Sequence, residues 1–296
     1  MTVIKIQFTL FSAFYSPLIS AMSGGFLEAE GLQPDWSVAA PGVSAIAALE
    51  SGDAHVVQSA LSQGFGPLNR GEEPSAVHFA QINEMDGFFL TGRAPDPDFT
   101  WAKLEGARVL VHHGGQPMAM FRYACHKAGI DIDRLDVVDA GNGAQMDAAF
   151  RAGEGDYIHQ QGPAPQQLQA DGVGHVVAQV GLQVGPCGFS SLAARRDWLQ
   201  SDMARAFMRA YRRTRRYMND TPASEIARAE QSYFPDIDPA VLEDCIATYQ
   251  RLGCWSPHVE ITRPAFEATQ DIFAYNGTLQ TRYRYEQVCA EPPADA

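Results

Sequence analysis

The chain has 296 residues, of which 22 are basic and 35 acidic, and its net charge is −13. This charge repels nucleic acid and anionic membrane surfaces, so neither is an expected partner. Membrane insertion is not expected either, because no stretch approaches the roughly 18 uninterrupted apolar residues of a membrane span.

The N-terminal stretch Phe8–Phe26, FTLFSAFYSPLISAMSGGF, resembles the apolar core of a secretion signal. Polar residues and a proline interrupt its middle, and a proline there breaks a long helix. We therefore interpret it as the end of a strand, a loop at Ser12–Tyr15, and a helix from Ser16 to about Gly24. This leaves no room for a signal peptide. The protein is expected to be cytoplasmic if the chain is complete, and periplasmic if a signal has been removed.

Apolar runs rich in strand-forming residues alternate with segments of helical periodicity over the first 190 residues, which predicts α/β units. The predicted strands are Val3–Phe8, Pro34–Val38, Ala54–Ser59, Ala76–Asn83, Gly87–Thr91, Arg108–His112, Leu135–Asp139, Tyr157–Gln160 and His175–Gln179. The predicted helices between them are Ser16–Glu30, Val43–Ser51, Gln116–Ala128, Ala144–Ala152 and Ala164–Asp171.

After about residue 194 the pattern becomes helical throughout, and these helices are expected to cover one of two lobes. The arginine-rich segment Asp197–Asn219 carries an apolar stripe that includes Phe207 and Tyr211. Its arginines are therefore interpreted as a solvated helix face rather than a nucleic-acid site.

Two segments of the chain share one pattern at an offset of 101 residues. GVSAIAALESGDAHVV begins at Gly42 and GAQMDAAFRAGEGDYI begins at Gly143, with glycines and small residues at matching places. Each half thus repeats a strand, a glycine-containing loop, a helix and a strand. Common origin and chance similarity both remain open, and both predict the same architecture: loops at the carboxyl ends of two sheets around one cleft.

The five cysteines are an odd number without C-x-x-C pairs, which argues against a disulfide framework and a zinc ribbon. Reduced thiols in the cytoplasm fit this pattern best, although secreted proteins also carry free buried cysteines. We expect no metal site and no cofactor.

Four segments carry a resemblance to a known family: GGFLEAEGLQPDW from Gly24, GVSAIAALESGDAHVV from Gly42, LEGARVLV from Leu104 and AAFRAGEGDY from Ala148. In order and spacing they resemble the nitrate/sulfonate/taurine-type substrate-binding proteins of ABC importers. That family also contains thiamin-pyrimidine-precursor binding proteins and synthases.

The resemblance implies an α/β fold of the type II periplasmic-binding-protein class, with two lobes that close over a ligand. Each lobe would contain a mixed sheet flanked by helices. Lobe one would comprise residues 1–86 plus 189–296, including the helical C-terminal section, and lobe two residues 87–188. The hinges would lie near residues 83–87 and 185–189.

Candidate ligand-binding residues lie in the loops that follow the predicted strands. Aromatic rings in the first loop can stack on a planar ligand, and amides, hydroxyls and histidines in the others can hydrogen-bond it. Since neighbours on a strand point to opposite faces, one of the adjacent histidines His112 and His113 is expected to face the cleft. The candidates are Ser12, Phe14, Tyr15, Gly42, Val43, Ser59, Asn83, His112, His113, Gly115, Gln116, Asn142, Gly143, His159 and Gln160. For His159 a structural role is favoured over a catalytic one.

These features favour a binding protein for a small polar or heterocyclic organic molecule, with an ABC permease as a possible partner. Strongly anionic ligands, such as nitrate or a sulfonate, are disfavoured because few basic side chains are assigned to the cleft, unless the helix N-termini alone neutralise them. A cytoplasmic enzyme on the same fold is an alternative, and a cytoplasmic ligand sensor is a second. The enzyme is disfavoured because the chain lacks the C-C-C-F-C motif of the pyrimidine synthases. It also has Ser12 and Ser16 in the loop where the related desulfinases carry a cysteine.

Overall fold

The computed structural model describes residues 1–40 and 43–294 and contains two five-stranded mixed sheets, which confirms the two mixed sheets that the resemblance implies. The strands of the first sheet are β1 (Thr2–Phe8), β2 (Leu32–Val38), β3 (Val56–Ser59), β4 (Val77–Asn83) and β10 (Ser190–Ala194). Those of the second are β5 (Phe88–Gly92), β6 (Arg108–Leu110), β7 (Asp136–Val138), β8 (Tyr157–Gln161) and β9 (His175–Gln179).

The two sheets have the same topology. The strand order is β2-β1-β3-β10-β4 in the first and β7-β6-β8-β5-β9 in the second. In each sheet the first three strands of this order are parallel to one another. The fourth strand, β10 or β5, pairs antiparallel with the strand on each side of it. Strands β3 and β8 fall at equivalent places in the repeated segments, as the offset of 101 residues predicts. The chain crosses between the sheets after β4 and again before β10.

Helices cover both sheets and make up most of the chain after residue 200. In chain order they are α1 (Ser16–Ser23), α2 (Ile46–Ser51), α3 (Ser62–Asn69), α4 (Gly115–Lys127), α5 (Gly143–Arg151), α6 (Ala164–Ala170), α7 (Val180–Val184), α8 (Asp202–Asp220), α9 (Ala223–Glu230), α10 (Pro239–Leu252), α11 (Arg263–Tyr275) and α12 (Tyr285–Val288). Among the described residues, no helix is long and apolar enough to cross a membrane.

Strand β10 and helices α3 and α7 lie outside the sequence-based predictions. Strand β10 has the sequence SSLAA, whose serines and alanines have little strand propensity. It is fixed instead by antiparallel pairing to both β3 and β4. Helix α3 contains two glycines and Pro67, which mask its helical pattern.

Helix α8 largely confirms the predicted division into an apolar stripe and an arginine-rich face. Arg209 and Arg213 form ion pairs with Glu30 at 2.8 and 2.6 Å. Arg215 is the exception, because its side chain is fully buried. Its guanidinium donates to the backbone oxygens of Ile82 and Ser256, so it ties α8 to the first sheet rather than facing solvent.

Helix α9 ends with a buried carboxyl group, that of Glu230. The hydroxyl groups of Ser16 and Ser20 on α1 lie within hydrogen-bonding distance of its two oxygens, at 2.7 and 2.5 Å. Burial raises its pKa to about 8, although both serine bonds act in the opposite direction. The folded protein therefore holds this carboxyl group protonated at neutral pH.

This burial predicts a pH-dependent loss of stability. The pKa of Glu230 rises from 4.5 in the unfolded chain to about 8 in the fold, so its contribution to the free energy of unfolding is fully present below pH 4.5. This contribution is lost as the pH rises to about 8. Glu230→Gln cannot ionise, so its melting temperature should exceed that of the wild type by an amount that grows between pH 5 and pH 8, to roughly 5 °C.

Thermal unfolding of both proteins across this pH range measures the difference. Glu225→Gln is the matched control, because Glu225 lies on the same helix but is exposed. A constant offset between wild type and Glu230→Gln over the whole range would contradict the expectation.

Candidate functional site

A cavity of about 760 Å³ lies between the two sheets, against the loops that follow the parallel strands of both. Carboxyl ends of parallel strands are the usual place for ligand sites in α/β proteins. The first sheet and its loops contribute Thr9, Leu10, Phe11, Tyr15, Val38, Ala39, Ala40, Val43, Ser44, Ala45, Gln58, Ser59, Ala60, Ser62 and Gln63. The second contributes His112, His113, Gly114, Gly115, Gln116, Pro117, Asp139, Gly141, Asn142, Gly143 and Gln161, and the crossing before β10 adds Phe189 and Ser190.

The buried amide of Gln58 positions the loop after β1. Its Oε1 accepts from the backbone N–H groups of Thr9 and Leu10 at 2.9 and 3.2 Å. Its Nε2 donates to Ser190 Oγ at 3.0 Å. One side chain thus fixes the first loop relative to the start of β10, and the loop presents Phe11 to the cavity.

The loops of the second sheet bring hydrogen-bonding groups to the opposite wall. His113 Nδ1 lies 2.7 Å from the backbone oxygen of Val111, so Nδ1 carries the proton and Nε2 is left as an acceptor when the ring is neutral. Asn142 caps α5 with its side-chain oxygen, which accepts from the backbone N–H of Gln145 at 3.0 Å. Its amide N–H groups therefore remain available for other contacts.

Two side-chain hydrogen bonds span the two halves of the cavity wall. Gln161 Nε2 donates to the hydroxyl of Tyr15 at 3.1 Å, and Ser62 Oγ donates to Gln116 Oε1 at 3.2 Å. Gln116 also donates through Nε2 to the backbone oxygen of Phe189. Residues held by the second sheet are thereby bonded to residues held by the first around the cavity.

The cavity wall has little fixed charge. Its described residues include one carboxylate, Asp139, and neither lysine nor arginine. The pKa of His112 is lowered mainly by burial and to a smaller extent by the neighbouring His113, while Asp139 acts in the opposite direction. His112 is therefore neutral at pH 7. Burial raises the pKa of Tyr15 to about 12, so its hydroxyl stays protonated.

Nine of the predicted site residues line this cavity. Both histidines of the pair are among them, although one was expected, because β6 ends at Leu110 and the alternation of a strand no longer applies. The nine are Tyr15, Val43, Ser59, His112, His113, Gly115, Gln116, Asn142 and Gly143. Gly42 lies outside the described residues, and the assignment of a ligand to all of these positions stays a prediction.

Three predicted residues from the first sheet do not line the cavity. Ser12 donates to the backbone oxygen of Gly162 at 2.6 Å and also caps the short 3-10 helix Ala13–Tyr15. Phe14 is fully buried and packs on Tyr249 with ring centroids 4.8 Å apart. Asn83 is buried as well and donates to the backbone oxygen of Phe14 at 2.8 Å.

His159 and Gln160 are buried and do not line the cavity. Strand β8 runs one residue further than predicted, so Gln161 takes the position at its carboxyl end. His159 is completely buried and stacks on Phe88 at 4.4 Å. Burial, with His112 nearby, lowers its pKa well below the usual value, and it is neutral at pH 7.

Several cavity residues are absent from the sequence-based set, among them Phe11, Gln58, Gln161 and Ser190. The rule that places ligand contacts after strand ends indicates Gln161, which immediately follows the predicted strand Tyr157–Gln160, and Phe11, which lies in the loop after the predicted strand Val3–Phe8. Ser190 had no such signal, because it begins a strand that the pattern does not predict. The five cysteines are free and buried, and the described residues contain no cluster of three or more His, Cys, Asp or Glu side chains able to hold a metal.

The sequence profile described as NMT1/THI5 like matches residues 13–225. The chain belongs to this family. This confirms the resemblance found in the sequence, because the family of substrate-binding proteins named there includes the THI5-type proteins.

Comparisons with individual proteins also find binding proteins. A Bacillus subtilis (strain 168) protein named "Putative binding protein YtlA" is 28% identical over 295 residues, which cover 97% of this chain and 87% of the relative. The ligand-binding component of an ABC-type import system from Staphylococcus aureus, solved with zinc bound, has a TM-score of 0.76 at 15% identity, with 100% of both chains covered.

A sulfonate-binding protein is also similar in structure. The alkanesulfonate-binding protein SsuA from Xanthomonas axonopodis pv. citri, bound to MOPS, has a TM-score of 0.72 at 17% identity and covers 95% of both chains. At these identities the likeness shows the fold, and the predicted periplasmic-binding-protein fold is confirmed.

The hydrogen bonds of Gln116 to Ser62 and to the backbone of Phe189, here called the Gln116 bridge, are expected to stabilise the fold measurably. Gln116→Ala removes both of its hydrogen bonds and leaves the buried carbonyl oxygen of Phe189 without its partner, which should cost about 1–3 kcal/mol. Ser62→Ala loses one bond at a half-buried position and should cost about 0.5–1.5 kcal/mol.

Urea unfolding of the purified variants measures both values. Gln63→Ala is the control, because Gln63 is an exposed glutamine of the same cavity wall. An equal effect of Gln63→Ala and Gln116→Ala would show that the bridge contributes nothing specific.

Proposed function

We propose that this protein is a substrate-binding protein that closes two lobes over a small, uncharged, polar or heterocyclic molecule. The observation that carries the proposal is the position of the cavity between the carboxyl edges of both sheets. Hydrogen bonds from Gln161 to Tyr15 and from Ser62 to Gln116 join the two halves of its wall. The proposed lobes are residues 1–86 plus 189–296 and residues 87–188, with hinges near residues 83–87 and 185–189.

The chemistry of the wall supports an uncharged ligand. Amide groups at Gln116, Asn142 and Gln161 and hydroxyls at Ser59 and Ser190 supply donors and acceptors without net charge. Burying an ion in such a cavity would cost free energy that these groups only partly return. A neutral molecule with several polar atoms loses less on leaving water, and the site favours it.

The family and its relatives support a role in uptake. The Staphylococcus aureus neighbour is named as the ligand-binding component of an ABC-type import system. We therefore propose an ABC permease as the partner of the closed, loaded protein. The SsuA structure from Escherichia coli is named as periplasmic, and the same location is proposed for this chain if it is exported.

The proposal predicts that a compound co-purifies with the protein and that a cavity-blocking substitution removes it. Val38 lines the cavity at the end of β2 and is 44% exposed. Val38→Arg should place a long charged side chain in the cavity. Mass spectrometry of native and denatured samples should find about one equivalent of a small molecule in the wild type and little in Val38→Arg.

Val3→Arg is the matched control for this substitution. Val3 is an exposed valine on the neighbouring strand β1, at the end of the sheet away from the cavity, with 48% exposure. It should retain the compound. Equal retention by both arginine variants, or an empty wild type that no compound stabilises in a thermal-shift screen, would refute the proposed site.

A second expectation separates this protein from the sulfonate binders that share its fold. MOPS, the molecule bound to the SsuA structure from Xanthomonas axonopodis, carries a sulfonate. Since the described wall offers no lysine or arginine, millimolar MOPS should leave the melting temperature unchanged. A ligand at a hundredfold excess over its Kd would add about 2.7 kcal/mol, so a clear upward shift with MOPS would contradict the assignment.

A further inference from the structure

The wall of the cavity is divided into an apolar part and a polar part. The apolar part includes Leu10 and Phe11 from the loop after β1, Val38 at the end of β2 and Val43 from the loop after it, and we call these four residues the aromatic wall. The polar side chains lie mainly in the loops of the second sheet and around the end of β3, although Thr9 and Ser44 lie beside the apolar residues. A cavity of this kind has two chemically different halves, and a single uniformly polar ligand does not match both.

The ring of Phe11 is held in place by three other rings. It stacks on Trp36 with centroids 4.8 Å apart and an interplanar angle of 21°. Phe234 lies 5.2 Å away, and Phe8 meets it edge-on at 5.1 Å. Because the rings and the backbone bonds to Gln58 fix this loop, Phe11 is a preorganised surface that loses little conformational entropy when a ligand packs on it.

The aliphatic members of the wall are exposed in the absence of a ligand. Val38 and Val43 are 44% and 51% exposed, whereas most large apolar residues of this chain are buried. Exposed apolar surface that is grouped beside polar groups in a cavity is typical of a binding surface. Neither valine contributes to the core clusters, so packing of the fold does not explain them.

We propose that the aromatic wall is a subsite for an aromatic ring of the ligand, and that the polar substituents of the ligand face Gln116, Asn142 and Gln161. This inference rests on the proposed binding function and narrows its ligand to amphipathic, uncharged molecules with one or two rings. The volume of about 760 Å³ lies within the range of pockets that enclose such molecules, roughly 300–1,000 Å³.

Three neutral amides of increasing ring content test the subsite: acetamide, benzamide and 2-naphthamide. Isothermal titration of the dialysed full-length protein measures their affinities. The expected order is 2-naphthamide tighter than benzamide, with acetamide weakest, because the amide group is constant and only the aromatic area grows. Equal affinities, or no binding of 2-naphthamide to the wild type, would overturn the proposal.

Phe11→Leu then tests which wall the ring contacts. It keeps an apolar side chain but removes the ring, so the affinity for 2-naphthamide should fall about three- to tenfold while that for acetamide stays unchanged. Phe26→Leu is the control, since Phe26 is also half-buried and packs on Tyr217 away from the cavity. An equal loss in both variants would likewise overturn the subsite.

The two proposals fail in distinguishable ways. If a compound co-purifies with the wild type and is absent from Val38→Arg, yet 2-naphthamide does not bind, the binding function stands and the aromatic subsite is wrong. If no compound co-purifies and none of the three amides binds, both proposals fail. Melting temperatures of Phe11→Leu and Phe26→Leu confirm that each variant is folded before its affinities are compared.

Discussion

The close approach of the two sheets depends on a buried hydrogen-bond network around Gly162. The backbone N–H of Gly162 donates to the hydroxyl of Tyr249 at 2.8 Å, and that hydroxyl donates to the backbone oxygen of Gly87 at 2.9 Å. Ser12 completes the network by donating to the oxygen of Gly162. A Cβ atom on Gly162 would lie 2.4 Å from the sulfur of Cys245, so any side chain here would push the C-terminal helices away from the second sheet. The first loop, the first crossing and the end of β8 are therefore held together at one point.

This constraint explains why the first loop has both a structural and a cavity-facing part. Ser12 and Phe14 join the two sheets. The ring of Phe14 packs directly against Gly87, where an added Cβ atom would lie only 2.3 Å from the ring. Phe11 and Tyr15, on either side of them, remain for the cavity. Local geometry thus separates residues that are adjacent in sequence into two roles. The cavity wall that results is formed by loops whose backbone is fixed from below, as a site with a preorganised shape requires.

Much of the fold follows from the sequence because it rests on local pattern. Strands such as β1 and β9 and helices such as α4 and α5 have a clear period and clear ends, and the repeated segment indicates that both sheets share one plan. The pattern does not show β10, whose small residues form a strand because two partners pair with it. It also does not show which side chains of a strand–loop junction point inward. His159 and Gln161 differ by two positions and lie on the same face of β8, yet one is buried and the other lines the cavity. That difference arises from the length of the strand and the packing of Phe88 and Phe121 on His159.

The same separation of scaffold and wall explains how one fold can accommodate ligands of different charge. Some cavity-lining side chains, such as Val38 and Val43, carry little of the core packing, so their replacement alters ligand chemistry at a small cost in stability. In this chain the neutral amides of Gln116 and Gln161 form hydrogen bonds between the two halves of the protein. A cationic side chain at either position would instead create a site for an anion. Each amide donates and accepts at once, so it can bond the opposite half of the protein without adding net charge to the cavity. A charged side chain would need its own counter-ion in the ligand to be buried without penalty. The use of amides at the junction between the sheets therefore couples the two halves of the protein, and the same atoms suit the uncharged ligand proposed above.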